Sequence, residues 1–120
     1  MDAHNKSKLA NVMYARELAR RLKERGSQIT VNSLHPGSIK TKLGRNFGFH
    51  VIVIQTVGSV FMKTRKEGAQ TSLYLALSTE VKGMSGGYYA DCKRTTESSN
   101  AKDDEACKKL YDYSFKTVGL

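Results

Sequence analysis

The spacing of apolar residues near the amino terminus predicts a long helix over residues 3–25. Apolar side chains recur every three or four residues, as on one face of a helix, at Val12, Ala15, Leu18/Ala19 and Leu22. Gly26 follows, and glycine commonly adopts the left-handed conformation that ends a helix. We therefore expect one amphipathic helix that ends at Gly26.

The next segment, residues 28–34, is rich in β-branched residues and predicts a buried strand. Pro36 ends it because proline cannot continue a central ladder, and Gly37 permits a sharp turn. Residues 38–48 are basic and contain glycine, which predicts a loop or irregular helix. Residues 47–62 are apolar and fit either a short helix or a loop.

The later part of the chain predicts two helices and a short strand. A helical stripe over 66–78 starts near Glu67, a turn follows at 83–87, and residues 88–92 form a strand. In that strand Tyr88 and Tyr89 alternate, one buried and one at the edge. Residues 95–104 predict a loop and 105–117 a closing helix. The predicted apolar faces of the two helices are Ala69, Leu73, Ala76 and Leu77, then Ala106, Leu110, Tyr113 and Phe115 or Val118.

The element order is therefore helix, strand, loop, helix, strand, helix. Helices that alternate with short apolar strands favour an α/β fold with a parallel, doubly wound sheet. Two strands are too few for such a sheet, because parallel sheets have several strands and are covered on both faces. We therefore expect this chain to be the end of something larger.

Charge is distributed unevenly along the chain. Residues 1–66 hold 13 Lys or Arg against 3 Asp or Glu, whereas residues 67–120 hold 7 against 8. A basic half attracts phosphates, nucleic acid or an anionic membrane surface, whereas the simpler interpretation is a solvated helix face plus a basic loop. The simpler interpretation is favoured, since no nucleic-acid-binding motif is present, and we expect no nucleic-acid partner.

Cysteine usage and hydropathy predict a soluble, cytoplasmic chain. Cys92 and Cys107 have no metal-ligand spacing, which predicts free thiols and no metal site, with a single disulfide as the alternative. The polar amino terminus does not resemble a signal peptide. The most apolar run, residues 47–62, is shorter than the roughly 20 residues of a transmembrane helix, so we expect none.

Four segments in order resemble the short-chain dehydrogenase/reductase superfamily, and most closely its retinol-dehydrogenase-like branch. They are Ser7-Lys8-Leu9-Ala10-Asn11, Val31-Asn32-Ser33-Leu34-His35-Pro36-Gly37, Lys66-Glu67-Gly68-Ala69-Gln70 and Gly86-Gly87-Tyr88-Tyr89-Ala90-Asp91-Cys92-Lys93. In that branch the active-site helix begins Tyr-x-x-Ser-Lys-x-Ala-Asn, and the next strand ends Val-Asn-x-x-His-Pro-Gly. The resemblance implies that residues 1–120 are the C-terminal portion of a Rossmann-type domain whose N-terminal cofactor-binding half is absent.

The resemblance also implies an activity, the NADP(H)-dependent interconversion of an alcohol and a carbonyl in a lipophilic, retinoid-like substrate. In the family a tyrosine delivers the proton, and a lysine one helical turn later lowers the pKa of that tyrosine and hydrogen-bonds the nicotinamide ribose. Lys8 matches this lysine, and His4 stands at the tyrosine position. His4 is either a replacement acid or an exposed residue with no role, and the second interpretation is favoured.

The family's nicotinamide-side loop matches Pro36, Gly37, Ile39 and Thr41. No G-x-G-x-x-G turn for the pyrophosphate occurs in the sequence. The family's catalytic serine has no counterpart either, so we expect the chain alone to be inactive and not to bind the cofactor. Residues 47–62 match the substrate-covering segment, with core packing as the alternative.

The alternative function is a non-catalytic interaction protein that associates with itself or with a full-length relative, because an uncovered strand edge and an apolar helix stripe favour association.

Overall fold

The computed structural model describes residues 3–39 and 62–119. The helices are α1 (Ala3–Glu24), α2 (Arg65–Leu77) and α3 (Asp104–Thr117). The strands are β1 (Ser33–His35), β2 (Tyr88–Ala90) and β3 (Lys93–Thr95), and two short 3₁₀ turns span Thr79–Val81 and Ser99–Lys102. Within these ranges the predicted order of helices and strands is confirmed, with β3 and the 3₁₀ turns as additions.

Helix α1 ends where the sequence predicts. Gly26 has φ +69°, and its N–H donates to the Lys23 carbonyl at 3.0 Å. The Ser27 N–H donates to the Leu22 carbonyl at 3.0 Å. These two bonds form a Schellman motif, which satisfies carbonyls that the end of the helix would leave unpaired.

The three strands form one sheet in the order β1-β2-β3. Strands β1 and β2 run parallel, with Ser33 opposite Tyr88, as the alternation of elements predicts. Strand β3 pairs antiparallel with β2 and is absent from the sequence-based prediction. The sheet is thus mixed, which is compatible with part of a Rossmann-type fold, while the doubly wound order of a larger sheet stays a prediction.

Strand β3 escapes prediction because of the turn that precedes it. Asp91 and Cys92 have φ +52° and +57°, and they join two strands whose Ala90 and Lys93 are paired. Two-residue hairpin turns with positive φ at both positions normally carry Asn-Gly or Asp-Gly. A cysteine at the second position hides the hairpin from sequence reasoning.

The predicted buried strand over 28–34 is wrong in length and in burial. Strand β1 starts only at Ser33, it is partly exposed, and the upstream Ile29 side chain is 65% exposed. The Val31 N–H donates to Ser85 Oγ at 2.9 Å, and the Val31 carbonyl accepts from the Gly86 N–H at 2.7 Å. The neighbour of this segment is therefore a turn and not a strand, so the β-branched composition finds no ladder to join.

Helices cover both faces of the sheet. Tyr88 lines a small cleft together with Val12 and Ala15 of α1, whereas the Tyr89 ring is 6.4 Å from the Tyr74 ring of α2. Successive strand residues point to opposite faces, so α1 and α2 lie on opposite sides. Tyr89 is 2% exposed and Tyr88 is partly exposed, which confirms the predicted alternation.

The predicted apolar face of α2 is wrong, because Ala69, Leu73, Ala76 and Leu77 are all exposed. The buried residues are Gly68 and Thr71. A Cβ on Gly68 would lie 2.2 Å from Ile39 Cδ1, and Thr71 Oγ1 accepts from the Cys92 N–H at 3.2 Å. The helix therefore approaches the sheet through small and polar residues, and Leu73 and Leu77 are exposed.

The predicted apolar face of α3 is wrong for Tyr113 and for Phe115 or Val118, whereas the predicted Ala106 and Leu110 are partly buried. Its buried residues are Cys107 and Tyr111, whereas Tyr113, Phe115 and Val118 are exposed. The Tyr111 ring stacks on Tyr14 of α1 with centroids 4.7 Å apart, and the Arg21 guanidinium lies 4.2 Å from its ring centroid. Stacking and cation–π contacts with α1 thus select the face. Ala106 and Leu110 are partly exposed beside it.

The three arginines of α1 pair with acidic residues. Arg16 pairs with Glu97 at 2.8 Å and with Asp104 at 2.9 Å, and Arg21 pairs with Asp112 at 2.6 Å. Within the helix, the Glu17 carboxylate accepts from both Arg20 and Arg21 at 2.7 Å. These pairs account for much of the charge on α1 without an external anion.

Candidate functional site

The turn after β1 lies at the carboxyl edge of the parallel strand pair. His35 is the last residue of β1, and Pro36 and Gly37 follow it. Gly37 has φ +84°, and its N–H donates to His35 Nδ1 at 3.0 Å. Open α/β sheets bind ligands at this edge, and a glycine in the left-handed region lets the backbone turn sharply where a side chain would be strained.

The segment after the turn is anchored on α2. Ile39 forms an isolated parallel bridge with Lys63, and the Lys63 N–H donates to the Ser38 carbonyl at 2.9 Å. The Ile39 side chain occupies the space that a Cβ on Gly68 would need. Close packing therefore requires glycine at position 68, since any side chain there would displace Ile39.

His4 and Lys8 are both exposed and lie in the first turns of α1. Their four-residue spacing places them on the same helix face. The Ser7 hydroxyl donates to the His4 carbonyl at 2.9 Å. Helix α1, which carries His4 and Lys8, contacts β1, which leads into the Gly37 turn. Within residues 3–39 and 62–119, however, no hydrogen bond or ion pair joins Lys8 to that turn.

Tyr14 is not a substitute for the tyrosine that the family pattern requires. Its ring stacks on Tyr111 at the interface between α1 and α3. Burial, followed by its interaction with Tyr111, raises the pKa of the Tyr14 phenol. A raised pKa is the opposite of the activation that a proton-donating tyrosine needs at neutral pH.

Three residues near the turn have roles that sequence reasoning missed. Lys63 and Asp91 form an ion pair across the carboxyl edge of the sheet. Asn32 cross-links the loop before β2, because its Nδ2 donates to the Met84 carbonyl and its Oδ1 accepts from the Gly87 N–H, both at 2.9 Å. Asn32 could have been found from the sequence, because it belongs to the Val-Asn motif. No motif or residue spacing in the sequence relates Lys63 to Asp91.

Other candidate residues are either structural or fall outside the described ranges. Thr41 and residues 47–61 of the segment matched to the substrate cover lie outside the described residues. Cys92 and Cys107 are free thiols, and the Cys107 Sγ lies 3.5 Å from the Ala101 carbonyl in the core. Residues 3–39 and 62–119 contain no group of three or more His, Cys, Asp or Glu that could hold a metal ion. The helices of the same ranges include no candidate membrane span.

Comparison with known proteins finds relatives that are all named dehydrogenases. No protein-family model matches the chain. The chain is 48% identical to retinol dehydrogenase 14 of Homo sapiens over 120 residues, which cover 98% of this chain and 35% of that protein. It is 41% identical over 116 residues to short-chain dehydrogenase TIC 32 B, chloroplastic, of Brassica napus, covering 97% of this chain and 36% of that protein. It is also 41% identical over 118 residues to retinol dehydrogenase 12 of Bos taurus, covering 98% and 36%.

The chain therefore spans about a third of the length of the curated relatives it matches. Those matches extend over nearly all of its residues, and their names agree with the motifs around Lys8 and Gly37. The parallel pair of β1 and β2 with a helix on each face is compatible with this relationship. This similarity over nearly the whole chain supports a place in the short-chain dehydrogenase/reductase superfamily, in its retinol-dehydrogenase-like branch.

Proposed function

We propose that this chain supplies the nicotinamide-side portion of an oxidoreductase that interconverts an alcohol and a carbonyl with NADP(H). One observation carries the proposal: the left-handed glycine of the family motif, Gly37, lies in the turn that follows β1 at the carboxyl edge of the parallel strand pair. This edge is the general ligand-binding position of open α/β sheets. Residues 1–120 are accordingly proposed to be the C-terminal portion of one larger domain.

The residues present fit one end of the cofactor. The turn at Gly37 is narrow, because a Cβ there would lie 3.1 Å from side-chain atoms of Lys63. We propose that backbone groups of Pro36, Gly37 and Ile39, with the hydroxyl of Thr41, hold the nicotinamide carboxamide and pyrophosphate side. No glycine-rich phosphate turn occurs in the sequence. The fit therefore extends to the nicotinamide end and not to the adenosine end.

In the proposed reaction NADP(H) supplies or accepts the hydride. Lys8 would hold the ribose of the cofactor, and its ammonium would favour the deprotonated form of the proton donor one helical turn earlier. That donor position is His4. The imidazolium form of histidine is an effective acid near neutral pH, but its ring is shorter than a phenol, and an error of about 1 Å in placement already costs heavily in rate. We therefore propose that the chain has little activity alone.

The proposed substrate is a lipophilic alcohol or aldehyde of the retinoid type. Support comes from the relatives, of which several are named retinol dehydrogenases.

The direction of the backbone groups along β1 and the residues before it supports an incomplete site. Val31 and Ser33 direct their backbone groups toward β2 and the loop before it, so those of Asn32 and Leu34 point to the opposite, outer edge. No strand of the described residues pairs with that edge.

Titration with NADPH tests the proposal directly. We expect no saturable change in nicotinamide fluorescence when the purified chain is titrated to high micromolar cofactor, because only one end of the cofactor finds partners. A chimera that joins the upstream two-thirds of human retinol dehydrogenase 14 to this chain should bind NADPH, and its Gly37→Val variant should bind more weakly. Saturable binding by the chain alone would contradict the incomplete site, whereas a chimera insensitive to Gly37→Val would contradict the assignment of this turn.

A second candidate function is non-catalytic association with itself or with a full-length relative. The outward-facing Leu73 and Leu77 of α2 are 49% and 76% exposed, and Ile29 is 65% exposed. Exposed apolar side chains and an unpaired strand edge both favour association. Under this function, light scattering at micromolar concentration should give a mass above the 13.3 kDa of one chain. A mass of one chain at every concentration, unchanged by Leu77→Ser, would count against self-association.

A further inference from the structure

Lys63 connects three separate parts of the chain at the carboxyl edge of the sheet. It lies two residues before α2, and its backbone N–H donates to the Ser38 carbonyl at 2.9 Å. Its ammonium pairs with the Asp91 carboxylate on the β2–β3 hairpin. The same residue thus contacts the segment after β1, the start of α2 and the hairpin that closes the sheet.

The aliphatic part of the Lys63 side chain lies directly over Gly37. The Cδ, Cε and Nζ atoms are each 3.1 Å from the position that a Cβ on Gly37 would take. The lysine side chain is only 33% exposed, so its methylene groups are partly shielded by this contact. Long cationic side chains commonly cover a surface with the stem while the charged head reaches a partner.

The partner carboxylate is itself held in a defined position. Asp91 and Cys92 occupy the left-handed region at φ +52° and +57°, and the Cys92 N–H donates to Thr71 Oγ1 of α2 at 3.2 Å. The hydrogen bond from Lys63 is the main cause that lowers the pKa of Asp91, with smaller contributions from His35 and Lys93. The carboxylate therefore stays ionised and available to Lys63 at neutral pH.

We propose that the Lys63–Asp91 ion pair is a latch that holds the Gly37–Ile39 segment against the end of β2, and that Lys63 is a positioning residue for cofactor binding. The second part rests on the proposed function of the Gly37 turn. The latch itself rests only on the contacts among Lys63, Gly37 and Asp91. Neither residue is proposed to touch the reacting atoms.

Amide hydrogen exchange on this chain tests the latch without any cofactor. Lys63→Met keeps the stem but removes the charge, and Asp91→Asn removes the other partner. Each should raise exchange at Gly37, Ser38 and Ile39 about two- to fivefold, the range for a partly exposed ion pair. The double variant should exchange no faster than either single variant, since both remove one interaction. Lys63→Arg should stay close to the native rate.

The matched control is Lys66→Met, which removes an exposed lysine three residues later. It should leave exchange at Gly37–Ile39 unchanged. Unchanged exchange in Lys63→Met, or an equal increase in Lys66→Met, would overturn the latch. Circular dichroism identifies any variant that unfolds globally. If Lys63→Met unfolds, a native exchange rate in Lys63→Arg shows that the positive charge at position 63, and with it the ion pair, is what the segment requires.

The positioning role is measured in the chimera with the upstream part of human retinol dehydrogenase 14. Lys63→Met and Asp91→Asn should each raise the dissociation constant of NADPH about two- to fivefold and leave kcat at saturating cofactor unchanged, because the ion pair positions the cofactor loop and does not act in the transition state. An unchanged dissociation constant despite faster exchange would overturn the positioning role. A native chimera that fails to bind NADPH would overturn the proposed function, while the exchange rates still decide the latch.

Discussion

Replacing His4 by tyrosine is expected to raise kcat of the completed enzyme by about 10²- to 10⁴-fold, the usual contribution of a positioned general acid. The enzyme for this test is the chimera of this chain with the upstream two-thirds of human retinol dehydrogenase 14. Residue 4 lies one helical turn before Lys8, so a phenol there would share the helix face of the ammonium. The ammonium would favour the ionised form of the phenol and so lower its pKa.

Reduction of retinal by NADPH gives the rate, and two further variants serve as controls. His4→Phe has a ring of similar size without an acidic hydrogen and should be no faster than the native chimera. Lys8→Met in the His4→Tyr background should remove most of the gain, because the tyrosine then lacks its cationic partner. A native chimera as fast as His4→Tyr, and slowed by His4→Phe, would instead identify His4 as a working acid.

The local course of the chain could be predicted because local signals were strong. The apolar repeat of α1 and Gly26 fixed one helix and its end, and Pro36-Gly37 marked the turn after β1. The inward faces of α2 and α3 could not be predicted in the same way. Gly68 and Thr71 face the sheet because Ile39 and the Cys92 N–H occupy the space and the hydrogen-bonding positions there. Such a choice depends on tertiary partners that apolar periodicity does not encode.

In the candidate site, too, features set by neighbouring residues could be predicted, whereas contacts between residues far apart in the sequence could not. The four-residue spacing of His4 and Lys8 and the glycine of the turn are local features, and the structure places both on the expected elements. The contact between Lys63 and Asp91 joins residues 28 positions apart. It depends on a hairpin turn whose Asp-Cys sequence gives no conventional signal, so no spacing rule could find it.

The buried carboxylate of Glu17 is the clearest case of a residue whose importance the sequence concealed. The apolar repeat of α1 gave no reason to single out a glutamate between Arg16 and Leu18. The Glu17 side chain is nevertheless 2% exposed and accepts hydrogen bonds from two arginines. The hydrogen bond from Arg20 is the largest cause that holds the pKa of Glu17 at about 2, below its ordinary value of 4.5.

Glu17→Gln is expected to lower the free energy of unfolding by about 2–3 kcal/mol at pH 7. Breaking a buried ion pair costs about 3–5 kcal/mol when the remaining charge stays buried, and the cost is smaller here because Arg20 and Arg21 are 43% and 25% exposed. Urea denaturation at constant m gives the change from the shift in midpoint. The control is Glu24→Gln, which removes a partner of Arg20 that is 60% exposed and should cost less than about 0.5 kcal/mol.

The pH dependence of the same two proteins gives an independent test. A carboxyl whose pKa is lower in the folded state stabilises the protein above its unfolded pKa, and that contribution is lost as the pH falls through the folded pKa. For Glu17 the stabilisation should be complete above pH 4.5 and should decline between pH 4.5 and about 2. Glu17→Gln should remove this part of the decline, whereas Glu24→Gln should retain it. Equal losses in both variants at pH 7, or the same acid decline in Glu17→Gln as in the native chain, would mean that the ion pairs of Glu17 with Arg20 and Arg21 do not stabilise the protein.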